Sequence, residues 1–343
     1  MSNLLSTIRS FIDNTYIPTV KTVASAFSGD LLVGTAARGL GEGCKKYLAY
    51  GTFPTSSNTQ FITGGFLNTD GLTTIAQFIA AGVTPLNPAN IEEHITYSYY
   101  DPGVLDAYNM RHPSIGVTLP LYGKSGAYSW LKAPRYQTGT GSGNTHVCEV
   151  GPLARVLVNA LAGPSVWFTT VKAVLDSIGL STANIPNLRS VLGRHAARAI
   201  ECKVVADEMA NWIGALSTTA TTGETYRHRN IPTVTSTGYG LTEAPRGALG
   251  HWITISGTKI GSYQAVVPTT WNASPKDTYG QKGPIEQALM SMTGITDDAT
   301  GRTRVGRIVR SFDPCIACAV HIVSPDKKKV SKFEIVPPGC SIK

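Results

Sequence analysis

Long uncharged apolar runs are absent from this 343-residue sequence. No stretch approaches the roughly 18 apolar residues that a membrane-spanning helix needs. The first residues, Met1 to Leu5, do not show the basic-then-apolar pattern of a signal peptide. We therefore expect a soluble, cytoplasmic chain that reaches a membrane only at its periphery, through a partner.

Closely spaced cysteines are also scarce. The chain is far too long to depend on a disulfide framework, and its composition favours a reducing compartment. Three isolated thiols, those of Cys44, Cys148 and Cys202, are expected to be inert. The six cysteines are Cys44, Cys148, Cys202, Cys315, Cys318 and Cys340.

Charged residues make up only 15% of the chain and apolar residues 42%, which is typical of a globular protein with a large core. The net charge of +8 invites a nucleic-acid-binding function. A lysine-rich tail at 322–343 contributes +3 of it, and no stripe of arginines and aromatics in the sequence suits phosphates and bases. We expect no nucleic-acid partner. The glycines at 34, 39, 41 and 43 match neither a dinucleotide fingerprint nor a P-loop.

Helical periodicity appears at both ends of the chain. Apolar spacing predicts helices from residue 4 to about 27, with Pro18 opening the second. Residues 46–150 are rich in turn formers, including an exposed loop at 138–145. From Pro152 onward helices dominate, one of them capped by Asn187, followed by a loop at 217–236. A β-hairpin around Gly257 and a short helix at 284–292 complete the prediction.

One stretch near the end carries metal chemistry. Cys315 and Cys318 are three residues apart, and His321 follows at the same spacing. Pro314 fixes its own φ and biases Asp313 away from the helical region, so a turn should present the thiols. A bare C-x-x-C leaves three possibilities open: a redox dithiol, half of a zinc site, or chance.

The longer stretch D-P-C-x-x-C-x-x-H resembles the carboxy-terminal metal motif of the large subunit of nickel–iron hydrogenases. Further segments resemble blocks of the same family in the same order, and the resemblance is nearest to the uptake type. It covers residues 4 to 321. The segments are residues 132–136 (K-A-P-R-Y), 149–155 (E-V-G-P-L-A-R), 243–249 (E-A-P-R-G-A-L) and 263–272 (Y-Q-A-V-V-P-T-T-W-N).

The resemblance implies a set of metal ligands. Cys315 would be a terminal thiolate on nickel, and Cys318 would bridge nickel and iron. His321 would be the last residue of the mature subunit and would bind a magnesium-type ion together with the backbone carbonyl of Ala265.

The resemblance also implies residues that surround the metals. Pro245, Arg246, Pro268 and Thr269 would line the pocket of the iron's cyanide and carbonyl ligands. Arg246 would lie over the open face of the metals, held by Asp313, so that Arg246, Asp313 and Cys315 are the expected catalytic residues. Taken alone, each has an ordinary explanation: a surface or ion-paired arginine, a turn-forming aspartate and a strand-end threonine.

The fold implied by the resemblance is a mixed, mainly helical α+β domain with a small antiparallel hairpin, spanning residues 1–321. Residues 322–343 would be an extension that a maturation endopeptidase removes. The implied activity is oxidation of H₂ to two protons and two electrons. An Fe–S small subunit would carry the electrons away.

The sequence departs from the family in one respect. The family's other two thiolates come from an R-x-C-G-x-C motif near its amino terminus, and this sequence has no such pair. We expect the chain to correspond to the carboxy-terminal three-fifths of a large subunit, completed by a separate fragment. The alternative is a non-catalytic remnant or precursor that binds zinc, or no metal, through Cys315 and Cys318.

Overall fold

The computed structural model describes residues 2–30, 39–55, 59–101, 110–116, 118–219, 234–292 and 299–315. Cys318, His321 and the extension at 322–343 lie outside the described residues. Among those that are described, no helix is long and apolar enough to cross a bilayer.

The amino-terminal helices form where the apolar spacing predicts them. Helix α1 (Ser2–Phe11) continues through a π-helical turn (Ile12–Tyr16) into α2 (Ile17–Ala26), and Pro18 stands in the first turn of α2. Ile12 and Ile17 are buried against Ala199 and Ala206 of a later helix. The amino-terminal segment is therefore packed onto the body of the fold.

Short strands are spread through the turn-rich stretch at 46–150, where the sequence did not predict them. None exceeds five residues, so the alternation of apolar and polar residues that marks a strand has no room to develop. The sheets are antiparallel, and the exposed loop at 138–144 lies between the last two strands. The elements are β1 (Lys46–Ala49), β2 (Thr52–Pro54), β3 (Gln60–Ile62), β4 (Gly65–Asn68), α3 (Ile75–Ala81), β5 (Ile91–His94), β6 (Met110–Arg111), β7 (Ala133–Gln137) and β8 (Thr145–His146).

The largest apolar cluster is built around three helices: α4 (Pro152–Ala162), α5 (Ser165–Asp176) and α6 (Val191–Thr219). Helix α4 begins at Pro152, as predicted, and its first eight residues are buried. Each fully buried leucine or valine there contributes about 1.5–3 kcal/mol. Rigid placement of α4 matters because its first turn supports the site described below.

The predicted cap of the long helix is wrong. Asn187 lies inside a 3₁₀ helix (Thr182–Leu188), and the Ser190 hydroxyl instead accepts a hydrogen bond from the Gly193 N–H, 3.0 Å away, at the start of α6. Most of the loop predicted at 217–236 lies outside the described residues. Its two ends are a helix and a strand, because α6 runs to Thr219 and the next strand begins at Ser236.

A three-stranded antiparallel sheet contains the predicted hairpin. Strands β10 (Gly247–Ser256) and β11 (Lys259–Val266) form that hairpin, and β9 (Ser236–Ala244) pairs with the other edge of β10. The sequence did not reveal β9 because its glycines and threonines are more typical of a loop. Only Pro245 and Arg246 separate β9 from β10, so this sharp turn projects Arg246 from the end of the sheet.

Three helices lead to the end of the described chain: α7 (Pro268–Asn272), α8 (Pro284–Met290) and α9 (Ala299–Ser311). Ile308 and Phe312 anchor α9 in a small apolar cluster with Leu40 and Val191. With its helices and small antiparallel sheets, the architecture confirms the expected mainly helical α+β class. The division at residue 321 stays a prediction.

Candidate functional site

Three segments that are distant in sequence meet beside Cys315: the turn between β9 and β10, the start of α7, and the residues after α9. From the turn, the Arg246 Nε–H lies 2.9 Å from the backbone oxygen of Asp313 and 3.1 Å from its carboxylate. Both side chains are nearly half exposed, at 43% and 47%. A pair this exposed adds little stability, so its main effect is to orient the guanidinium over the chain leading to Cys315.

The start of α7 holds Cys315 from the other side. The Thr269 hydroxyl accepts a hydrogen bond from the backbone N–H of Cys315 at 3.1 Å. Thr269 is only 4% exposed, and Pro268 before it is also buried. A buried acceptor has little freedom to move, so the position of Cys315 depends on that of α7.

The residues that carry Cys315 leave α9 through an unusual conformation. Asp313 has φ +50°, in the left-handed region, which aspartate adopts more readily than most residues; this departs from the extended conformation that a following proline favours. Helix α9 accordingly ends at Ser311. The predicted presentation of Cys315 outside a helix agrees with this geometry, whereas Cys318 lies outside the described residues.

A buried ion pair on the core side supports the segment from Ser311 to Cys315. Arg194 on α6 forms a bidentate pair with Glu149, at 2.7 and 2.8 Å, and each side chain is 2% exposed. The Arg194 guanidinium also stacks 3.7 Å from the centre of the Phe312 ring and donates to the Ser311 hydroxyl. Glu149 is therefore a buried structural anion that supports this segment through Arg194.

The surroundings of Asp313 are strongly basic. Arg198 donates to the backbone oxygen of Ser311 at 2.7 Å. Burial lowers the pKa of His195, and the nearby charges of Arg198 and Arg194 lower it further, against an opposing effect of Asp313. His195 is therefore neutral at pH 7, and the arginines supply the fixed positive charge around this segment.

The isolated thiols of the core are poor metal ligands in this fold. Burial raises the pKa of Cys44 to about 11, and Glu149 adds to the effect. Burial likewise raises the pKa of Cys148 well above its ordinary value. Because metals bind the thiolate, these protonated thiols agree with the expectation that they are inert. Cys202 is exposed.

Of the other expected ligands, only Ala265 lies within the described residues. Ala265 lies on β11 opposite His251 and is exposed, whereas His321, its expected partner in binding an ion, lies outside the described residues. Within the described part of the chain, no group of three or more His, Cys, Asp or Glu side chains could hold a metal. The Cys315 thiol itself is a donor of the soft type that nickel and iron bind.

The sequence did not reveal a buried group behind the Pro245–Arg246 turn. Arg155 on α4 contacts the carboxylates of Glu201 and Glu243 and the backbone of the turn. Burial raises the pKa of Glu243, and Arg155 opposes the rise. Two of these residues stand in the blocks at 149–155 and 243–249, but nothing in the sequence connects them to Glu201.

Comparison with known proteins gives this geometry its context. The family model described as nickel-dependent hydrogenase matches residues 1–321. The chain belongs to this family. Residues 322–343 lie beyond the matched region.

Two curated relatives illustrate the membership. The uptake hydrogenase large subunit of Bradyrhizobium diazoefficiens is 32% identical over 358 aligned residues, covering 98% of this chain and 56% of the relative. The periplasmic [NiFeSe] hydrogenase large subunit of Desulfomicrobium baculatum is 34% identical, covering 92% of this chain and 55% of the relative. The chain thus spans little more than half the length of these hydrogenase relatives.

Solved structures of the family share the fold. A [NiFeSe] hydrogenase from Desulfovibrio vulgaris Hildenborough superposes with a TM-score of 0.74 at 31% identity, covering 93% of this chain and 60% of that one. A reduced, active form of the Ni–Fe–Se hydrogenase from Desulfomicrobium baculatum also gives a TM-score of 0.74, at 32% identity. The resemblance to hydrogenase large subunits is therefore confirmed in both sequence and fold.

Proposed function

We propose that this chain is the carboxy-terminal part of the large subunit of a nickel–iron uptake hydrogenase, which oxidises H₂ to two protons and two electrons. One observation carries the proposal. Arg246 and Thr269, from two different family blocks, both hydrogen-bond to the short segment that ends at Cys315. The fold thus assembles three separate motifs into one site.

In this proposal Cys315 and Cys318 would be thiolate ligands that hold the nickel–iron group. Pro245, Arg246, Pro268 and Thr269 surround the cyanide and carbonyl ligands of the iron. His321 and the Ala265 carbonyl hold a magnesium-type ion. When bound, the bimetallic group supplies the soft Lewis acid that splitting H₂ requires.

The described side chains have separate tasks in that reaction. With the bimetallic group in place, the Cys315 thiolate would be the base that takes up a proton. Arg246 stays charged at every working pH, so it supplies fixed positive charge and hydrogen bonds to the cyanides. Asp313 holds the Arg246 guanidinium in place through the contacts at 2.9 and 3.1 Å. Thr269 fixes the backbone of Cys315, and with it the thiolate that receives the proton.

Three partners follow from this assignment. The missing pair of thiolates comes from the family's R-x-C-G-x-C segment, on protein outside this sequence. An Fe–S small subunit takes up the two electrons, because the site has no electron exit of its own. A maturation endopeptidase cuts after His321 once nickel is in place.

Metal analysis tests the proposal. The chain is co-produced with a polypeptide carrying R-x-C-G-x-C, the small subunit and the maturation proteins, and the purified assembly is examined for nickel, iron and infrared bands of cyanide and carbonyl. We expect all three in the native assembly and in the Cys202→Ser control, since Cys202 is an exposed thiol that belongs to none of the family blocks. We expect them to be lost in Cys315→Ser.

Zinc or an empty site in the native assembly would overturn the proposal in favour of a non-catalytic remnant. Nickel and iron retained in Cys315→Ser would overturn the assignment of that ligand. Metal binding depends on deprotonated thiols, so all preparations are compared at one pH under reducing conditions.

A further inference from the structure

Arg155 holds the backbone of the turn that presents Arg246. Its side chain is 1% exposed, and each of its five N–H donors has a partner. Two go to the carboxylate oxygens of Glu201, both at 2.8 Å, and one to Glu243 at 2.6 Å. The other two go to the carbonyls of Ala244, at 3.0 Å, and Pro245, at 2.9 Å.

The two carboxylates around Arg155 keep its guanidinium charged and fixed in place. Burial acts to lower the pKa of Arg155, but Glu201 and Glu243 outweigh it and hold the pKa above the ordinary arginine value. Glu243 is fixed in turn, since its second oxygen accepts the Tyr50 backbone N–H at 2.5 Å. A lysine has three donors on a single nitrogen and cannot reproduce this planar pattern.

The turn also abuts the start of α4 directly. Gly247 has φ +136°, and a Cβ built on it would lie 2.7 Å from the backbone nitrogen of Gly151. A Cβ on Gly151 would lie 2.9 Å from the backbone oxygen of Arg246. The turn is therefore held by backbone contacts with the start of α4 on one side, and by the Arg155 guanidinium on the carbonyls of Ala244 and Pro245.

We propose that Arg155 is a positioning residue for Arg246. By fixing the carbonyls of the two residues before Arg246, it sets the direction from which the Arg246 guanidinium reaches Asp313. The functional meaning rests on the proposed function, in which Arg246 faces the metals, but the geometric coupling itself does not require a metal.

The coupling is tested in the metal-free chain by the rate at which phenylglyoxal modifies Arg246, followed by peptide mass spectrometry. In Arg155→Lys we expect the reaction at Arg246 to be about two- to fivefold faster, the range set by releasing one exposed ion pair. The matched control is Arg135→Lys. Arg135 is also fully buried, with its five donors bound to Asp277, one hydroxyl and three carbonyls, and none of these partners belongs to the turn.

A purely structural role for Arg155 predicts the same behaviour in both variants. If Arg246 reacts at the native rate in Arg155→Lys, or equally fast in both lysine variants, the inference is wrong. Should Arg155→Lys fail to fold, Glu201→Gln serves instead, because it loosens the hold on Arg155 while leaving the arginine in place. A native rate at Arg246 in Glu201→Gln then refutes the coupling.

The outcome is independent of the test of function. A faster reaction at Arg246 in the metal-free Arg155→Lys chain, together with zinc or no metal in the purified assembly, would leave the coupling intact and defeat the hydrogenase proposal. An unchanged rate in the metal-free variant, together with nickel and iron in the purified assembly, would do the reverse.

Discussion

Replacing Glu149 by glutamine should destabilise the chain strongly. Glu149 forms a bidentate pair with Arg194, and both side chains are 2% exposed. Glutamine keeps the size of the side chain and one acceptor, but it places an N–H₂ donor against the donors of Arg194. The variant leaves the arginine charge buried without its anion.

The size of the effect follows from that burial. Removing one partner of a buried ion pair costs about 3–5 kcal/mol. The unfolding entropy of a chain of this length is about 0.7 kcal/mol/K, so we expect the melting temperature to fall by about 4–7 °C. Arg194 also contacts Ser311 and Phe312, so the segment that carries Cys315 should loosen as well.

Calorimetry and urea unfolding give the stability, and amide hydrogen exchange locates the loosened segment. The control is Asp176→Asn, which breaks the pair between Lys172 and Asp176, whose side chains are 57% and 47% exposed. An exposed pair at this helical spacing is worth about 0.5 kcal/mol. If Glu149→Gln costs no more than this control, the buried pair is not what holds the segment.

Three further outcomes follow from single contacts. Thr269→Val removes the hydroxyl that accepts the backbone N–H of Cys315, the expected nickel ligand. Because such a hydrogen bond is worth about 1 kcal/mol, Ni²⁺ titration should show about fivefold weaker binding. Equal Ni²⁺ affinities for this variant and the Thr270→Val control would contradict the prediction. The pKa of Cys44 is raised to about 11 from 9.0, so the native state holds this proton more tightly and its stabilisation is complete below pH 9. The contribution of Cys44 to stability should fall by about 3 kcal/mol between pH 9 and 11, and urea unfolding of Cys44→Ala must therefore show a smaller fall than the native chain. Gly247 has φ +136°, and Gly247→Ala would place a Cβ 2.7 Å from a backbone atom. Gly257, the control position, has φ +63°, and a Cβ there meets open space. Gly247→Ala should therefore lower the free energy of unfolding by about 1–3 kcal/mol more than Gly257→Ala does. Equal urea midpoints for the two variants would show that the structure relieves the close contact.

Local signals in the sequence predicted part of the fold. Proline at the first helical position marked the starts of α4 and α8, at Pro152 and Pro284. Strands β10 and β11 were recognisable because β-branched residues flank Gly257. In each case the deciding residues lie within a few positions of the element they define.

Elements without such signals were missed. Helix α9 has few apolar residues and many arginines, so its packing through Ile308 is evident only in three dimensions. Strand β9 is stabilised by its pairing with β10 more than by its own propensity. For these elements the tertiary context overrides the local preference.

The site shows the same division. Family motifs singled out Arg246, Thr269 and Asp313, and the fold brings all three to the segment ending at Cys315. The supporting charges were not predictable, because Arg155 meets Glu243 across 88 residues of sequence. A charged residue that becomes buried has the same sequence appearance as one on the surface until its partner is known.

The four residues from Phe312 to Cys315 are held at both ends, by the stacked Arg194 at one and the Thr269 hydroxyl at the other. Ordering the backbone of one residue costs about 1–2 kcal/mol of conformational entropy. A flexible segment of four residues would therefore incur an entropic cost of about 4–8 kcal/mol when it bound a metal. In this fold the segment is already ordered by folding, so metal binding does not incur that cost. A metal ion would bind to a segment that is already preorganised. Its affinity would then depend on the coordination bonds that it forms and not on a conformational change of the protein.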